Sequence, residues 1–339
     1  MANKKIGKQT VKLQNPPSVI ATASIVGPKE GEGPLRLYFD EIIEDENFGE
    51  KSWEKAESKL MRETFSKVLK KANKTTDDLD YIVAGDLLNQ CLAANFGLRE
   101  SGVPFLGVYG ACSTMAESMS IGSLLIDGEF AKNVVCLTSS HFCSAEKQFR
   151  FPLELGTQRP PTAQWTVTGS GGVVLSNEGS GPYITHITTG KIVDMGIKDV
   201  NNMGAAMAPA AMDTIVTHFK DTGFTPESYD LIVTGDLGAI GKEICDELIQ
   251  EKGYNISNIY NDCGLMIFDR ERQDAHAGGS GCGCSATVFA GFIYKKLMEG
   301  VLNNVLFVAT GALLSTTSSQ QGESIPSVAH AVSISNTLS

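Results

Sequence analysis

The segment Asp80-Tyr-Ile-Val-Ala-Gly-Asp86-Leu87 returns as Asp230-Leu-Ile-Val-Thr-Gly-Asp236-Leu237, an offset of 150 residues from Asp86 to Asp236. Laid side by side without a gap, the windows 71–87 and 221–237 share Thr, Asp, Ile, Val, Gly, Asp and Leu at matching places. Both windows read as one unit. A helix ends at Asn73 or Gly223, residues suited to a left-handed cap, a turn starts at Thr75 or Thr225, and a short apolar strand stops at Gly-Asp. A second pairing sets Ala111-Cys112-Ser113 beside Gly283-Cys284-Ser285, each followed by an apolar helix, a Gly and a Val-rich strand (134–138 and 305–310). The chain is an internal duplication, and its fold must be built from two copies of one strand-helix order.

At 339 residues and 42% hydrophobic content, the chain can bury a large core, as two domains or two halves of one. Lys+Arg 28 against Asp+Glu 39 gives a net charge of −11 and leaves no electrostatic footprint for nucleic acid or anionic lipid. The basic start Met-Ala-Asn-Lys-Lys-Ile-Gly-Lys is followed by no apolar signal core, and no run approaches the roughly 18 apolar residues of a membrane span, so the sequence reads as a soluble chain. Eight scattered cysteines, several inside apolar runs such as Val134-Val-Cys-Leu, read mostly as small reduced core residues. Cys282-Gly-Cys284 is too closely spaced for a zinc knuckle, and five histidines with no paired face predict neither a metal site nor a cofactor.

Along the chain, a strand over 18–25 leads through the acidic loop 41–50 to a helix over 52–72, whose Leu60, Met61, Phe65, Val68 and Leu69 keep helical spacing. Strands near 81–84, 105–108, 134–137 and 172–175 alternate with helices near 88–97 and 113–126, and the second half repeats this with strands near 231–234, 306–309 and 329–334. The alternation predicts a mostly parallel sheet with helices on its faces. The seam falls near 178–181, giving halves 1–178 and 179–339. Segments 139–168 and 271–283 are too long for ordinary connections, and such loops usually carry function.

Cys112 follows strand 105–108 by a short Tyr-Gly-Ala turn and opens an apolar helix. A helix N-terminus lowers a thiol pKa and accepts a substrate carbonyl or carboxylate, which is a nucleophile's position; a buried structural Cys is the other reading. Asp86 and Asp236 end equivalent strands and either face a pocket or dimer contact or, more economically, cap the next helix.

The duplicated unit, the Ala-Cys elbow, the Gly169-Ser-Gly-Gly-Val-Val-Leu strand closing the first half, and His276-Ala-Gly-Gly-Ser resemble the thiolase superfamily, nearest its ketoacyl synthase III branch. Three longer strings, Gln148-Phe-Arg-Phe-Pro-Leu-Glu154, the run 274–285 and the run 323–334, resemble the stage V sporulation AD family of spore-forming bacteria. In the condensing enzymes the Cys works with a His after the second-half strand and a His or Asn in the last glycine-rich loop, because acyl transfer needs a base and oxyanion donors. Here the strand ends Val233-Thr-Gly-Asp236 and the loop has His276-Ala-Gly-Gly279, while Gly311-Ala-Leu-Leu lacks the second thiolase Cys. His276 either approaches Cys112 or is a loop His bonded to backbone.

The resemblance implies a five-layer αβαβα thiolase fold and a homodimer through first-half edge strands. It also implies a non-catalytic part, with other stage V sporulation A proteins, in moving dipicolinic acid into or out of the spore, with the chain peripheral on the spore inner membrane. For that flat dianion, free or as its calcium chelate, the Cys112 helix offers backbone donors, and Lys147, Arg150 or Arg159 a cation. Phe149-Arg-Phe151 either holds a guanidinium over the ligand or pairs Arg150 with Glu154. An acyltransferase acylated on Cys112 with His276 as base, and a purely structural subunit, are the competing readings.

Overall fold

The computed structural model describes residues 4–150 and 159–338. Its strands in chain order are β1 (Thr10–Lys12), β2 (Ser18–Val26), β3 (Glu41–Ile42), β4 (Tyr81–Asp86), β5 (Phe105–Gly107), β6 (Asn133–Ser140), β7 (Trp165–Thr166), β8 (Gly169–Ser176), β9 (Tyr183–Thr188), β10 (Leu231–Thr234), β11 (Tyr260–Asp262), β12 (Gly279–Ser280), β13 (Asn304–Ala312) and β14 (Ser327–Ser335). Two five-strand runs form, β2-β8-β6-β4-β5 and β9-β14-β13-β10-β11, which meet where Ser18 pairs with Tyr183. They follow one plan: β4 is parallel to β5 and β6 as β10 is to β11 and β13, and two antiparallel ladders complete each run. The sheet is therefore more mixed than strand-helix alternation predicts. β6 reaches β8 through the long segment 141–168, which reverses direction instead of crossing over.

The helices that matter are α1 (Trp53–Ala72), α2 (Leu92–Leu98), α3 (Thr114–Asp127), α4 (Phe142–Phe149), α5 (Met203–Thr222), α6 (Gly238–Glu251) and α7 (Cys282–Val288). The local chemistry of the duplicated unit holds in both copies. Asn73 caps α1 with φ 53° and Gly223 caps α5 with φ 75°, both left-handed. Thr75 with Asp78, and Thr225 with Ser228, then form capping boxes that open the turn into β4 and β10. Ser52 accepts a hydrogen bond from Lys55 N, starting α1 one residue later than its spacing suggests.

α1 buries Leu60, Met61, Val68 and Leu69 against the first run, and α2 lies beside it. α5 and α6 cover the outer face of the second run. Between the runs lie α3, which packs on β4 and β6 and also on β13 and β14, and α7, which packs on β8 and β6. The order is helix, sheet, helix, sheet, helix: the αβαβα layering of the thiolase fold.

The central helices fit because glycines let them approach. A Cβ on Gly171 of β8 would lie 2.4 Å from the backbone of Ala286 in α7, whereas one on neighbouring Gly172, on the opposite face, would meet only Thr64 and Leu137 side chains at 3.4 Å. Gly171→Ala is therefore expected to lower unfolding stability by about 1–3 kcal/mol through overpacking, and Gly172→Ala to change it far less. Paired urea denaturation of the two variants checks this; equal midpoints would show that the central layer is not held by that contact.

Candidate functional site

The elbow before α3 is held tightly. Ser113 Oγ donates to Gly110 O at 2.6 Å and Thr114 Oγ1 to Ala111 O at 2.5 Å, and Ala111 is forced to φ 50°. Strand β13 presses on this turn, since a Cβ on Gly311 would lie 2.2 Å from Gly110 O. Cys112 thus stands where α3, β13 and the loop before α7 converge. It lines a cleft with Leu87, Tyr109, Glu146, Phe149, Arg150, Thr166, Met203, Ser280 and Leu314. The enclosed part of that cleft holds about 60 Å³, and the wider space it opens into, counted out to solvent, about 600 Å³.

Asp236 gives the site its chemistry. It follows β10, and its carboxylate, fully buried, accepts from Thr310 Oγ1 at 2.7 Å and Gly281 N at 2.9 Å, while its carbonyl accepts from Gln164 Nε2 at 2.5 Å. The Cys112 thiol lies within hydrogen-bonding reach of the same carboxylate. Burial pushes the thiol well above its ordinary pKa and the Asp236 charge pushes it further. The expected lowering by the helix N-terminus does not hold. A helix terminus contributes about 0.3–1 kcal/mol to an adjacent charge, and burial beside a carboxylate outweighs it. Asp236 is itself raised to about 7 by burial, against the hydrogen bonds it accepts. The cysteine is thus a neutral thiol facing a carboxylate.

The duplicated aspartates have parted company. Asp86 is the cap: its two oxygens accept from Leu88 N and Ala94 N, both at 2.8 Å, at the start of α2. It is wholly buried, and the structure does not place it among the residues that line the cleft with Cys112. In the second copy Asp262, at the end of β11, takes the capping role, accepting from Leu237 N at 2.8 Å and Gly238 N at 3.0 Å. Asp236 is thereby released from capping and turned to Cys112, contrary to the economical reading.

The other expected site residues separate. Arg150, ending α4, lines the cleft and pairs with Glu146 at 3.7 Å. Its alternative partner Glu154, and Phe151 beside it, lie outside the described residues. Lys147 points away, bonded to Glu54 of α1 at 2.5 Å. Arg159 stacks on Trp165 with 4.5 Å to the ring centroid and donates to Asp274 O at 2.7 Å, behind the cleft rather than on it. His276 pairs with exposed Asp274 at 3.0 Å and does not line the cleft with Cys112. The glycine-rich loop reaches the cysteine through Gly281 N and Ser280 instead. Sequence reading missed Glu146, although its position four residues before Arg150 on one helix was the available signal. Burial raises the Glu146 pKa, and its Oε2 is buried with no partner. All eight cysteines are unpaired, and among the described residues no cluster of three or more His, Cys, Asp or Glu could hold a metal ion. No described helix is long and apolar enough to cross a membrane.

Two five-strand runs around a central helix pair, with a cysteine at a strand-helix elbow, define a protein of the thiolase fold. Solved structures agree: 3-oxoacyl-(acyl carrier protein) synthase III from Pseudomonas aeruginosa PAO1 superposes with a TM-score of 0.58 at 11% identity, covering 97% of this chain and 98% of that one. The corresponding enzyme from Aquifex aeolicus VF5 gives 0.57 at 14% identity, over 94% and 99%. At such identities the likeness shows the fold alone. The sequence carries the assignment further, since the family model for stage V sporulation protein AD matches residues 7–335. The stage V sporulation protein AD of Bacillus subtilis (strain 168) is 49% identical over 329 residues, 97% of each chain. The chain belongs to the stage V sporulation protein AD family.

Because Asp236 favours the protonated thiol, Asp236→Asn is expected to lower the Cys112 pKa and speed its alkylation by iodoacetamide at a fixed pH of 8, severalfold over the parent. Peptide mass spectrometry of time points reads this; an unchanged or slower rate would show that the carboxylate does not control the thiol.

Proposed function

We propose that this sporulation protein binds dipicolinic acid, free or as its calcium chelate, in the Cys112 cleft and does not turn it over. The observation that carries the reading is the neutral Cys112 thiol against Asp236, where an acyl-transfer enzyme needs a base. What remains is suited to holding a small aromatic acid. Phe149 and Tyr109 offer ring faces, Thr166 and Ser280 hydroxyls, and Arg150 a guanidinium at the rim for one carboxylate.

The carboxylates argue for the chelate. Glu146 Oε2 is buried without a partner, and Asp236 stands behind the thiol. A bare dianion would add to the negative charge of both carboxylates, whereas a bound calcium cancels much of the ligand's charge and offers Glu146 Oε2 a partner. The proposal sets this binding within dipicolinate movement during sporulation or germination, and the family's sporulation name is in keeping with it.

The same proposal has the protein working as a homodimer through β5, which among the described residues pairs only with β4 and exposes Leu106 at the sheet edge, and beside other stage V sporulation A proteins at the spore inner membrane. A monomeric sedimentation mass would remove the first, and absence from spore inner-membrane fractions the second.

Calorimetric titration with dipicolinate, with calcium and with chelator, tests the binding. Saturable binding is expected, tighter with calcium. Arg150→Lys keeps the charge but loses the fork, and is expected to cost about 1.5–3 kcal/mol of binding. Glu146→Gln is expected to reduce the calcium preference. No saturable heat under either condition would end the proposal, and full affinity in Arg150→Lys would move the site away from α4.

A further inference from the structure

A second cleft, far larger than the first, is left unused by this reading. It lies beyond the other edge of β9, bounded by β1, the turn before β10 and the end of β14, and encloses about 630 Å³. That falls within the roughly 300–1,000 Å³ typical of small-molecule sites. Cys112 and the residues of its cleft take no part in it.

The composition of its wall is unusual for this chain. Among the described residues none that lines it is Asp or Glu, although the protein carries a net charge of −11. Its charged or ionisable lining side chains are Lys4, Lys12, His186 and Tyr229. Lys4 is neutralised by Asp127 at 2.9 Å. Lys12 has no ion pair among the described residues, and it sits directly across the β1–β9 ladder from His186.

His186 is 6% exposed yet lines the cleft, and burial, helped by the Lys12 charge, lowers its pKa to about 4. Its Nδ1 bonds Thr185 Oγ1 at 3.0 Å, which leaves Nε2 without a partner among the described residues. An unpartnered imidazole nitrogen and an unpaired ammonium thus belong to facing ladder positions, with no lining carboxylate among the described residues.

The floor beneath is rigid. Tyr229 OH bonds His218 Nε2 at 2.5 Å and Ser333 Oγ at 3.1 Å, and His218 Nδ1 bonds Thr188 Oγ1 at 2.8 Å. The Phe224 ring packs edge-on to His186 at 5.1 Å, and Leu13 and Pro16 continue the apolar wall. The lining therefore combines one unpaired cation, hydrogen-bonding groups and apolar side chains.

We propose that this cleft is a second binding site, taking a small anion, carboxylate or phosphate, carried on an apolar body, with Lys12 answering the anion, His186 beside it, and Phe224 and Leu13 against the body. The two anion chemistries share this recognition, and the choice of probes separates them.

The chain has five histidines, so ring NMR signals can be followed one by one. Phenyl phosphate, benzoate and inorganic phosphate are the probes. Phenyl phosphate or benzoate is expected to shift the His186 signals saturably while those of His141 and His276 stay fixed, and whichever binds tighter identifies the anion class. Inorganic phosphate should bind at least about tenfold more weakly than phenyl phosphate, because it leaves the apolar wall empty. Lys12→Glu, a change at an exposed strand residue, should weaken the tighter probe by about tenfold or more with an unaltered melting curve. Arg150→Lys should leave this titration unchanged, which separates the site from the dipicolinate cleft. No saturable shift at His186 with any probe, or equal affinity in Lys12→Glu, would overturn the inference.

Discussion

A single buried carboxylate organises the centre of this molecule. Asp236 joins β13 through Thr310, the loop before α7 through Gly281, the first-half segment through Gln164 and the elbow through Cys112. Four stretches distant in sequence thus share one residue. In a fold whose layers are held largely by apolar contact, a polar group so placed sets how the two runs lie around the cleft. It also sets the chemistry, since its carboxylate accepts from Thr310 and Gly281 and its charge holds the Cys112 thiol in the protonated form.

Under the proposed function, that choice of partner is what separates a binding site from an acyl-transfer site on the same scaffold. An imidazole beside a cysteine accepts its proton and leaves a thiolate; a carboxylate beside a buried cysteine holds the proton in place. The helix behind the elbow still presents its positive end, yet burial and Asp236 override it. Glu146 of α4 and Arg150 just after it add a charge pair to the wall of the same cleft.

The fold was largely legible because the duplicated unit is written in local chemistry. Left-handed caps at Asn73 and Gly223, capping boxes at Thr75 and Thr225, and apolar strands ending in Gly-Asp are properties of a few neighbouring residues, and they hold whatever surrounds them. Strand direction was less legible, because β6 and β8 become antiparallel through a segment whose path no local rule dictates. The site was legible at Cys112 and Arg150 and not at its other members. Asp86 and Asp236 are equal in sequence context, and what distinguishes them is Asp262, 26 residues beyond Asp236, which took over the capping in one copy only. Lys147 and Arg159 carry suitable charges and His276 a suitable ring, but their side chains meet Glu54, Trp165 and Asp274, partners that only the assembled fold supplies.

The central claim is that Cys112 is held as a neutral thiol and does not carry acyl groups. Incubating the protein with acyl-coenzyme A thioesters of several chain lengths and weighing the intact chain by mass spectrometry tests it directly. The account predicts an unmodified mass and no coenzyme A released above background. A stoichiometric acyl adduct on Cys112 that turns over would contradict it and make the protein a working transferase.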